Sequence, residues 1–188
     1  MSNVAKYQML IYLIHQEGDG RIHKKGGVNN PMAKIKILKG NLLESSDLLI
    51  CHQVNCQGVM GAGLAKCIKE KYPIVFRQYK RLCNKYQAED LLGNCQPVLV
   101  DDYKVVVNLF GQLYYGRNER YTDYKALAKS LEQLKYLLKF VDPYIYHDTI
   151  ALPYGIGCGL AGGSWDIVFK IIIKTFEDWD GYINIYQL

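Results

Sequence analysis

Two glycine-rich segments limit most strongly what this chain can fold into. Residues 55–63 follow an apolar run at 48–54, and residues 153–163 follow a second run at 149–152; a helical pattern comes after each segment. At the carboxyl end of a strand, glycines let the backbone turn tightly and let successive N–H groups approach an anion beside a helix N-terminus. Ligands of open α/β sheets bind at the carboxyl ends of strands, so both segments are predicted to meet at one crevice that holds a phosphate or diphosphate.

Strand and helix patterns alternate from residue 33 onward. Period-two or continuous apolar runs predict strands at 34–39, 48–54, 97–100, 104–110, 149–153 and 182–188. Helical periodicity predicts a helix from about residue 63 that Pro73 interrupts, a long helix that ends near Leu138 with Thr122 as its N-cap, and a helix at 165–176. This alternation, within 188 residues, predicts one α/β domain with a mixed sheet and helices on both faces.

Residues 1–31 have a different character. A short apolar piece is followed by a polar, glycine-containing stretch, so this segment is predicted to be an extension outside a domain that covers residues 33–188. Its longest apolar stretch, residues 9–14, is far below the roughly 20 residues that cross a bilayer, and no membrane partner is predicted.

The cysteines indicate the cellular compartment of the protein, and the net charge indicates the kind of ligand it binds. The six cysteines form neither a Cys-x-x-Cys pair nor a Cys/His cluster with zinc-finger spacing, which predicts reduced thiols, a cytoplasmic location and no metal site. The net charge of +5 favours an anionic ligand. Nucleic acid remains open as a partner, although the linear sequence shows no basic stripe or RNP-like motif.

Two familiar nucleotide motifs do not explain the glycines. Residues 157–162 match Gly-x-Gly-x-x-Gly, but they lie near the end of the chain, whereas a Rossmann site places this turn in its first βαβ unit. No Walker sequence occurs. No cofactor is therefore predicted.

Over residues 33–188 the sequence resembles the macro domains, which are ADP-ribose-binding modules. The matching pieces are residues 39–42, 54–65 and 153–163, together with the ending at 185–188. The resemblance is closest to the branch that contains ADP-ribose-1″-phosphate phosphatases and terminal ADP-ribose protein glycohydrolases. It implies a three-layer α/β/α sandwich and a cleft for ADP-ribose or a derivative.

The resemblance also assigns the binding positions. Asn41 stands where the family has an acidic residue that reads adenine, Tyr186 lines the adenine site, Asn55 binds the distal ribose, and the two glycine-rich loops clamp the diphosphate. The full set implied for ADP-ribose binding is Gly40, Asn41, Leu42, Asn55, Val59, Met60, Gly61, Ala62, Gly63, Leu64, Pro153, Gly155, Ile156, Gly157, Cys158, Gly159, Leu160, Ala161 and Tyr186.

The catalytic pattern leaves two functions open. His52 stands where phosphatase-like members have a histidine that activates water, and Asn55 orients the ribose. The lysine that follows strand 105–110 in the glycohydrolase branch is absent, and Ala161 replaces an aspartate. The sequence predicts hydrolysis of an ADP-ribose derivative at the distal ribose, with a non-catalytic reader of ADP-ribosylated protein or nucleic acid as the alternative. Strand alternation places His52 with Val54 on one sheet face, and Gln53 with Asn55 on the other.

Overall fold

A six-stranded sheet organises the computed structural model, which describes residues 33–140 and 149–188. Its strands are β1 (Lys34–Lys39), β2 (Leu49–Asn55), β3 (Cys95–Leu99), β4 (Val105–Gln112), β5 (Thr149–Pro153) and β6 (Tyr182–Gln187). Their spatial order is β1-β6-β5-β2-β4-β3; only the β3–β4 pair is antiparallel. The carboxyl ends of the five mutually parallel strands therefore lie at the same edge of the sheet.

The helices begin and end close to the predicted positions. They are α1 (Gly63–Lys71), α2 (Pro73–Lys85), α3 (Ala88–Leu91), α4 (Tyr124–Leu138) and α5 (Trp165–Thr175), with a 3₁₀ turn at Leu42–Glu44. Pro73 occupies the first turn of α2, where its missing N–H has no intrahelical acceptor to lose. The one-turn helix α3 is absent from the sequence prediction because four residues carry no periodic pattern.

Two hydrophobic cores lie on opposite faces of the sheet. On one face, Leu49, Cys51 and Val107 pack with Leu127 of α4 and Ile172 of α5. On the other face, residues from β2 and β4 pack with α1, α2 and α3; this cluster contains Val54, Phe110, Ile68, Val75 and Tyr79. The predicted three-layer α/β/α sandwich with a mixed sheet is confirmed.

Strand β2 departs from simple alternation at its last residue. Val54 pairs with Phe110 but Asn55 pairs with Gln112, so the register shifts and leaves Gly111 without a partner. Asn55 then contacts Tyr79 of α2, while Gln53 bonds Gln112 and Thr122. The prediction that Gln53 and Asn55 lie on the same face of the sheet is wrong at Asn55, because the irregular pairing and the turn that follows interrupt the period of two.

The N-cap of α4 lies one residue after Thr122, at Asp123, for which the sequence also favoured a capping role. Asp123 is the N-cap, and its carboxylate accepts from Lys125 N at 2.9 Å and Ala126 N at 3.0 Å. Thr122, the predicted cap, instead donates to the Gly157 carbonyl oxygen at 2.6 Å. Because Asp123 caps the helix, the Thr122 side chain is free to link the loop before α4 to the second glycine-rich loop.

The N-terminal extension predicted for residues 1–31 lies outside the described residues. Within residues 33–140 and 149–188, no helix is long and apolar enough to cross a membrane.

Candidate functional site

A cleft of about 580 Å³ opens where the loops that follow β2, β4 and β5 come together. One side is formed by Asn55, Val59 and residues 61–65, and the other by residues 153–157 and 159–161. Tyr115, Gly116 and Arg117, in the loop after β4, also line the cleft, as do residues 52–54 of β2 and Gln112 at the end of β4. Both glycine-rich segments thus reach one crevice, because β5 and β2 are neighbours in the sheet.

The start of α1 presents unpaired backbone donors to this cleft. Residues 61–65 line it, and none of their N–H groups donates to another protein group within the described residues. Ala62, the N-cap of α1, offers no side-chain cap. A helix N-terminus that lacks a cap, with its partial positive charge, is well suited to bind an anion.

The second glycine-rich loop, residues 153–163, also has backbone N–H groups without a protein acceptor among the described residues. Several of its N–H groups bond within the loop, including Cys158 to the Gly155 oxygen and Gly163 to the Gly157 oxygen. The N–H groups of Gly157, Gly159, Leu160 and Ala161 donate to no protein acceptor among the described residues. Backbone donors without a protein partner need water or a ligand, so the cleft can surround an anion with amides from both sides.

Asn55 holds the first loop in shape. Its Oδ1 accepts from Gln57 N at 2.9 Å and Val59 N at 3.3 Å, and its Nδ2 donates to the Val59 oxygen at 2.7 Å. The Tyr79 hydroxyl lies 2.8 Å from Asn55 Oδ1 and accepts from Val59 N at 3.0 Å. One amide hydrogen of Asn55 remains for a ligand.

Tyr79 supports this arrangement from the core and is a residue that sequence reasoning missed. Its side chain is fully buried between α2 and β4, with its ring 5.8 Å from that of Phe110. Burial raises the pKa of its hydroxyl, which therefore stays protonated. The only sequence signal was its place on the apolar stripe of α2.

A second polar network joins β2, β4 and the second loop. Gln53 Nε2 donates to Gln112 Oε1 and Thr122 Oγ1, both at 2.9 Å, and Thr122 donates onward to the Gly157 oxygen. Gly157 has φ +72°, and a Cβ there would lie 2.5 Å from Gln53 Oε1. Glycine is required at position 157 because the loop backbone lies directly against the side-chain amide of Gln53, which leaves no room for a Cβ.

His52 borders the cleft, but only 1% of its surface is exposed. Its Nε2 lies 2.7 Å from Asn108 Oδ1, and Asn108 Nδ2 donates to Gln96 Oε1 at 3.0 Å. Its Nδ1 is buried and has no hydrogen-bond partner in the part of the chain that the structure describes. Burial lowers the pKa of His52 to about 4, so the imidazole is neutral and weakly basic at pH 7. Its catalytic role stays a prediction.

The cysteines of the two loops are protonated thiols. Burial raises the pKa of Cys56 to about 12 and raises the pKa of Cys158, whose Sγ donates to the Ile156 oxygen at 3.3 Å. All six cysteines are unpaired. Because the thiolate is the nucleophile, these two groups are packing residues at neutral pH.

Six of the residues implied for ADP-ribose binding lie outside the cleft lining: Gly40, Asn41, Leu42, Met60, Cys158 and Tyr186. Met60 and Cys158 pack into the two hydrophobic cores. Asn41 caps the 3₁₀ turn, where its Oδ1 accepts from Leu43 N at 3.0 Å. Leu42 and Tyr186 pack in one small cluster with Leu64, which does line the cleft. Asn41, Leu42 and Tyr186 therefore form a flank of the cleft on the side of β1 and β6.

Asp47 is a missed residue on this flank. Its carboxylate accepts from the Tyr186 hydroxyl at 2.5 Å and from Asn184 Nδ2 at 2.9 Å. Burial and the bond to Asp47 raise the pKa of Tyr186 to about 12. Tyr186 is thus a fixed, neutral aromatic whose orientation depends on a carboxylate 139 positions earlier in the chain.

The loop between β4 and α4 is not among the residues that the resemblance implies for ADP-ribose binding, although the sequence left open that Arg117 and Arg120 contact phosphate. The N–H groups of Tyr121 and Thr122 both donate to the Ala161 oxygen, at 2.8 and 3.0 Å, which ties this loop to the second glycine-rich loop. Tyr115 and Arg117 are largely exposed and line the cleft. Among the described residues no Asp, Glu or Lys lines the cleft, and no group of three His, Cys, Asp or Glu is placed to hold a metal ion.

The fold agrees with comparisons to known proteins. A model of the macro domain family matches residues 51–172. The chain is 30% identical over 182 residues to the ADP-ribose 1″-phosphate phosphatase of Saccharomyces cerevisiae, a match that covers 84% of this chain and 100% of that protein. The chain belongs to the macro domain family.

Two further relatives come from Mycobacterium tuberculosis. The DNA ADP-ribosyl glycohydrolase is 39% identical over 141 residues, which is 73% of this chain and 37% of that protein. The solved macrodomain of DarG superimposes with a TM-score of 0.68 at 24% identity, covering 83% of this chain and 99% of the solved chain. The structural match supports the fold.

Proposed function

We propose that this chain binds ADP-ribose in the cleft and hydrolyses an ADP-ribose derivative at its distal ribose, with ADP-ribose-1″-phosphate as the substrate. The observation that carries the proposal is the pair of glycine-rich loops that line the cleft and whose N–H groups at 61–65 and at Gly157, Gly159, Leu160 and Ala161 donate to no protein acceptor among the described residues. A diphosphate between them would take up these donors. The Saccharomyces cerevisiae relative, which this chain matches over its full length, has the phosphatase name.

The order of the strands sets the direction of the ligand. Asn41 and Tyr186 lie at the ends of β1 and β6, whereas the loop that carries Tyr115 and Arg117 follows β4, on the far side of β5 and β2. If adenine lies on the Asn41 flank, as the family resemblance implies, the distal ribose lies near Asn55 and the β4 loop. The remaining amide hydrogen of Asn55 then orients a ribose hydroxyl.

The chemistry of the leaving group fits a cleft without a carboxylic acid or lysine. Hydrolysis adds water to ADP-ribose-1″-phosphate and yields ADP-ribose and inorganic phosphate. Water attacks C1″ and the bond between C1″ and the phosphate oxygen breaks; the monoanionic monoester already carries the proton of the departing hydrogen phosphate, and the attacking water releases a proton to solvent, so positioning and amide donors can supply most of the catalysis. The buried imidazole of His52, with its lowered pKa, is poorly suited to supply a proton to the leaving group.

Phosphate release from ADP-ribose-1″-phosphate by the purified chain tests this proposal. We expect turnover by the wild type and a loss of about tenfold or more in kcat/KM for Asn55→Asp, which keeps the acceptor oxygens for Gln57 N and Val59 N but loses the amide donor. Asn84→Ala, an exposed asparagine outside the cleft, is the matched control. No phosphate release by the wild type would refute the enzymatic proposal.

A reader function is the second candidate, because neither the lysine after β4 nor an aspartate at position 161 is present. Such a protein would bind ADP-ribose on a modified protein or nucleic acid without turnover. Calorimetry with free ADP-ribose separates the two candidates: binding without phosphate release selects the reader, and no binding refutes both.

A further inference from the structure

The positive charge of the chain is concentrated on α1 and α2. Residues 63–85 carry seven of the 23 Lys and Arg and one of the 18 Asp and Glu. Their surplus of six exceeds the net charge of +5 of the whole chain, so the remaining residues are slightly acidic. The linear sequence showed no basic stripe because helical spacing separates these cations; the folded helices bring them to one face.

Five of these cations have no carboxylate partner. Lys66 pairs with Glu70 and Lys71 with Glu44, but no salt bridge within the described part of the chain involves the other five. We call these five the basic face: Lys69, Arg77, Lys80, Arg81 and Lys85.

Four of the five residues of the basic face line an open groove on α2, and Lys69 lies beside it. The groove is formed by Phe76, Arg77, Lys80, Arg81, Asn84 and Lys85. Lys69 Nζ of α1 lies 4.4 Å from the centre of the Phe76 ring, which joins the two helices along this surface. Arg77, Arg81 and Lys85 are four residues apart, so they form a row with steps of about 6 Å along the helix, close to the separation of successive phosphates in an extended strand.

The basic face is continuous with the wall of the cleft. Lys80 packs against the first glycine-rich loop, where a Cβ at Gly58 would lie 2.9 Å from Lys80 Nζ. Tyr79, the residue before it, bonds Asn55 and Val59 inside the same loop. A polymer on the basic face would therefore pass directly beside the cleft.

We propose that the basic face binds the phosphodiester backbone of a nucleic acid strand. A row of unpaired cations along a groove matches a regular row of phosphates, and binding releases the counterions of those phosphates. The strand needs no ADP-ribose to bind, so this inference goes beyond the proposed hydrolysis and is independent of it.

Fluorescence anisotropy with a labelled 20-nucleotide single-stranded DNA tests the proposal. Five contacts predict a slope of about −3.5 for log K against log salt concentration, which is roughly a 100-fold loss of affinity between 50 and 200 mM salt. Removing three of the cations with Arg77→Ala, Arg81→Ala and Lys85→Ala should weaken binding at 50 mM salt and make the slope shallower by about 2.

The matched control removes three exposed lysines from the opposite helical layer, with Lys125→Ala, Lys129→Ala and Lys170→Ala. It lowers the net charge equally and should leave the slope unchanged. Both triple variants should bind free ADP-ribose as the wild type does, because none of the six residues lines the cleft.

Three results would overturn the proposal. The first is no DNA binding by the wild type at 50 mM salt. The second is an equal loss in the two triple variants, which would mean that net charge alone attracts the strand. The third is displacement of the labelled DNA by poly-glutamate at the same concentration at which unlabelled DNA of equal charge displaces it. That result would identify an acidic protein as the partner.

Discussion

Asn55 combines a structural and a ligand-binding function in one side chain. Its oxygen and one amide hydrogen hold the turn that follows β2, with Tyr79 as support from the core, and the other amide hydrogen is left for the cleft. His52, three residues earlier, is used differently: it belongs to a buried network with Asn108 and Gln96. Both side chains are buried and border the cleft, but Asn55 bonds the backbone of the loop whereas His52 bonds a side chain of β4.

The lowered pKa of His52 predicts a pH-dependent stability. Above about pH 6.5 the histidine is neutral in both states; as the pH falls toward about 4, the unfolded chain binds a proton that the folded chain excludes. We expect this group to remove about 3 kcal/mol of unfolding free energy across that window. Urea denaturation at several pH values should show a weaker pH dependence for His52→Gln than for the wild type; parallel curves would contradict the prediction.

Gly157 offers a test of the contact between the second loop and Gln53. Gly157→Ala forces a Cβ at φ +72° and within 2.5 Å of Gln53 Oε1, so we expect a loss of about 1–2 kcal/mol or more and weaker ADP-ribose binding. Gly159→Ala is the control, because a Cβ at Gly159 meets nothing within 4 Å. Thermal melts should separate the stabilities of the two variants, and calorimetry measures ADP-ribose binding by Gly157→Ala; equal destabilisation of the two variants would show that the contact is unimportant.

Among the secondary-structure elements, the unit of β2, its glycine-rich loop and α1 determines most of the cleft. The strand ends with an irregular register, the loop is braced by Asn55, and α1 begins without a side-chain cap. By contrast, α4 begins with a full cap. The helices α2, α3 and α5 also begin without a side-chain cap, but α1 is the uncapped helix whose first residues line the cleft, where a ligand can take the place of the cap.

The cap of α4 predicts a simple pair of substitutions. Asp123→Ala removes the acceptor for Lys125 N and Ala126 N and should cost about 1 kcal/mol. Asp123→Asn keeps an acceptor at the same place and should cost much less. Equilibrium denaturation measures both, and equal destabilisation by the two substitutions would show that the negative charge, rather than the capping bonds, stabilises the helix.

At the scale of the whole molecule, the sheet order connects segments that are distant along the chain. Because β5 lies beside β2 and β4 lies on the other side of β2, three loops from different parts of the chain form one cleft. The same folding gathers the cations of α1 and α2 beside that cleft. Net charge alone indicated an anionic ligand, but the location of the surplus suggests a second anion-binding surface.

The sequence by itself determined the element types, the two glycine-rich loops and the family, because hydrophobic periodicity and glycine placement act over short segments. Strands at 34–39 and 149–153 match the structure at both ends. Tertiary structure alone decided that Tyr79 braces Asn55, that Thr122 bonds Gly157, that Asp47 holds Tyr186 and that His52 is buried. Each of these contacts joins residues that are separate in the chain, and their distances depend on strand order and helix packing, which local patterns do not encode.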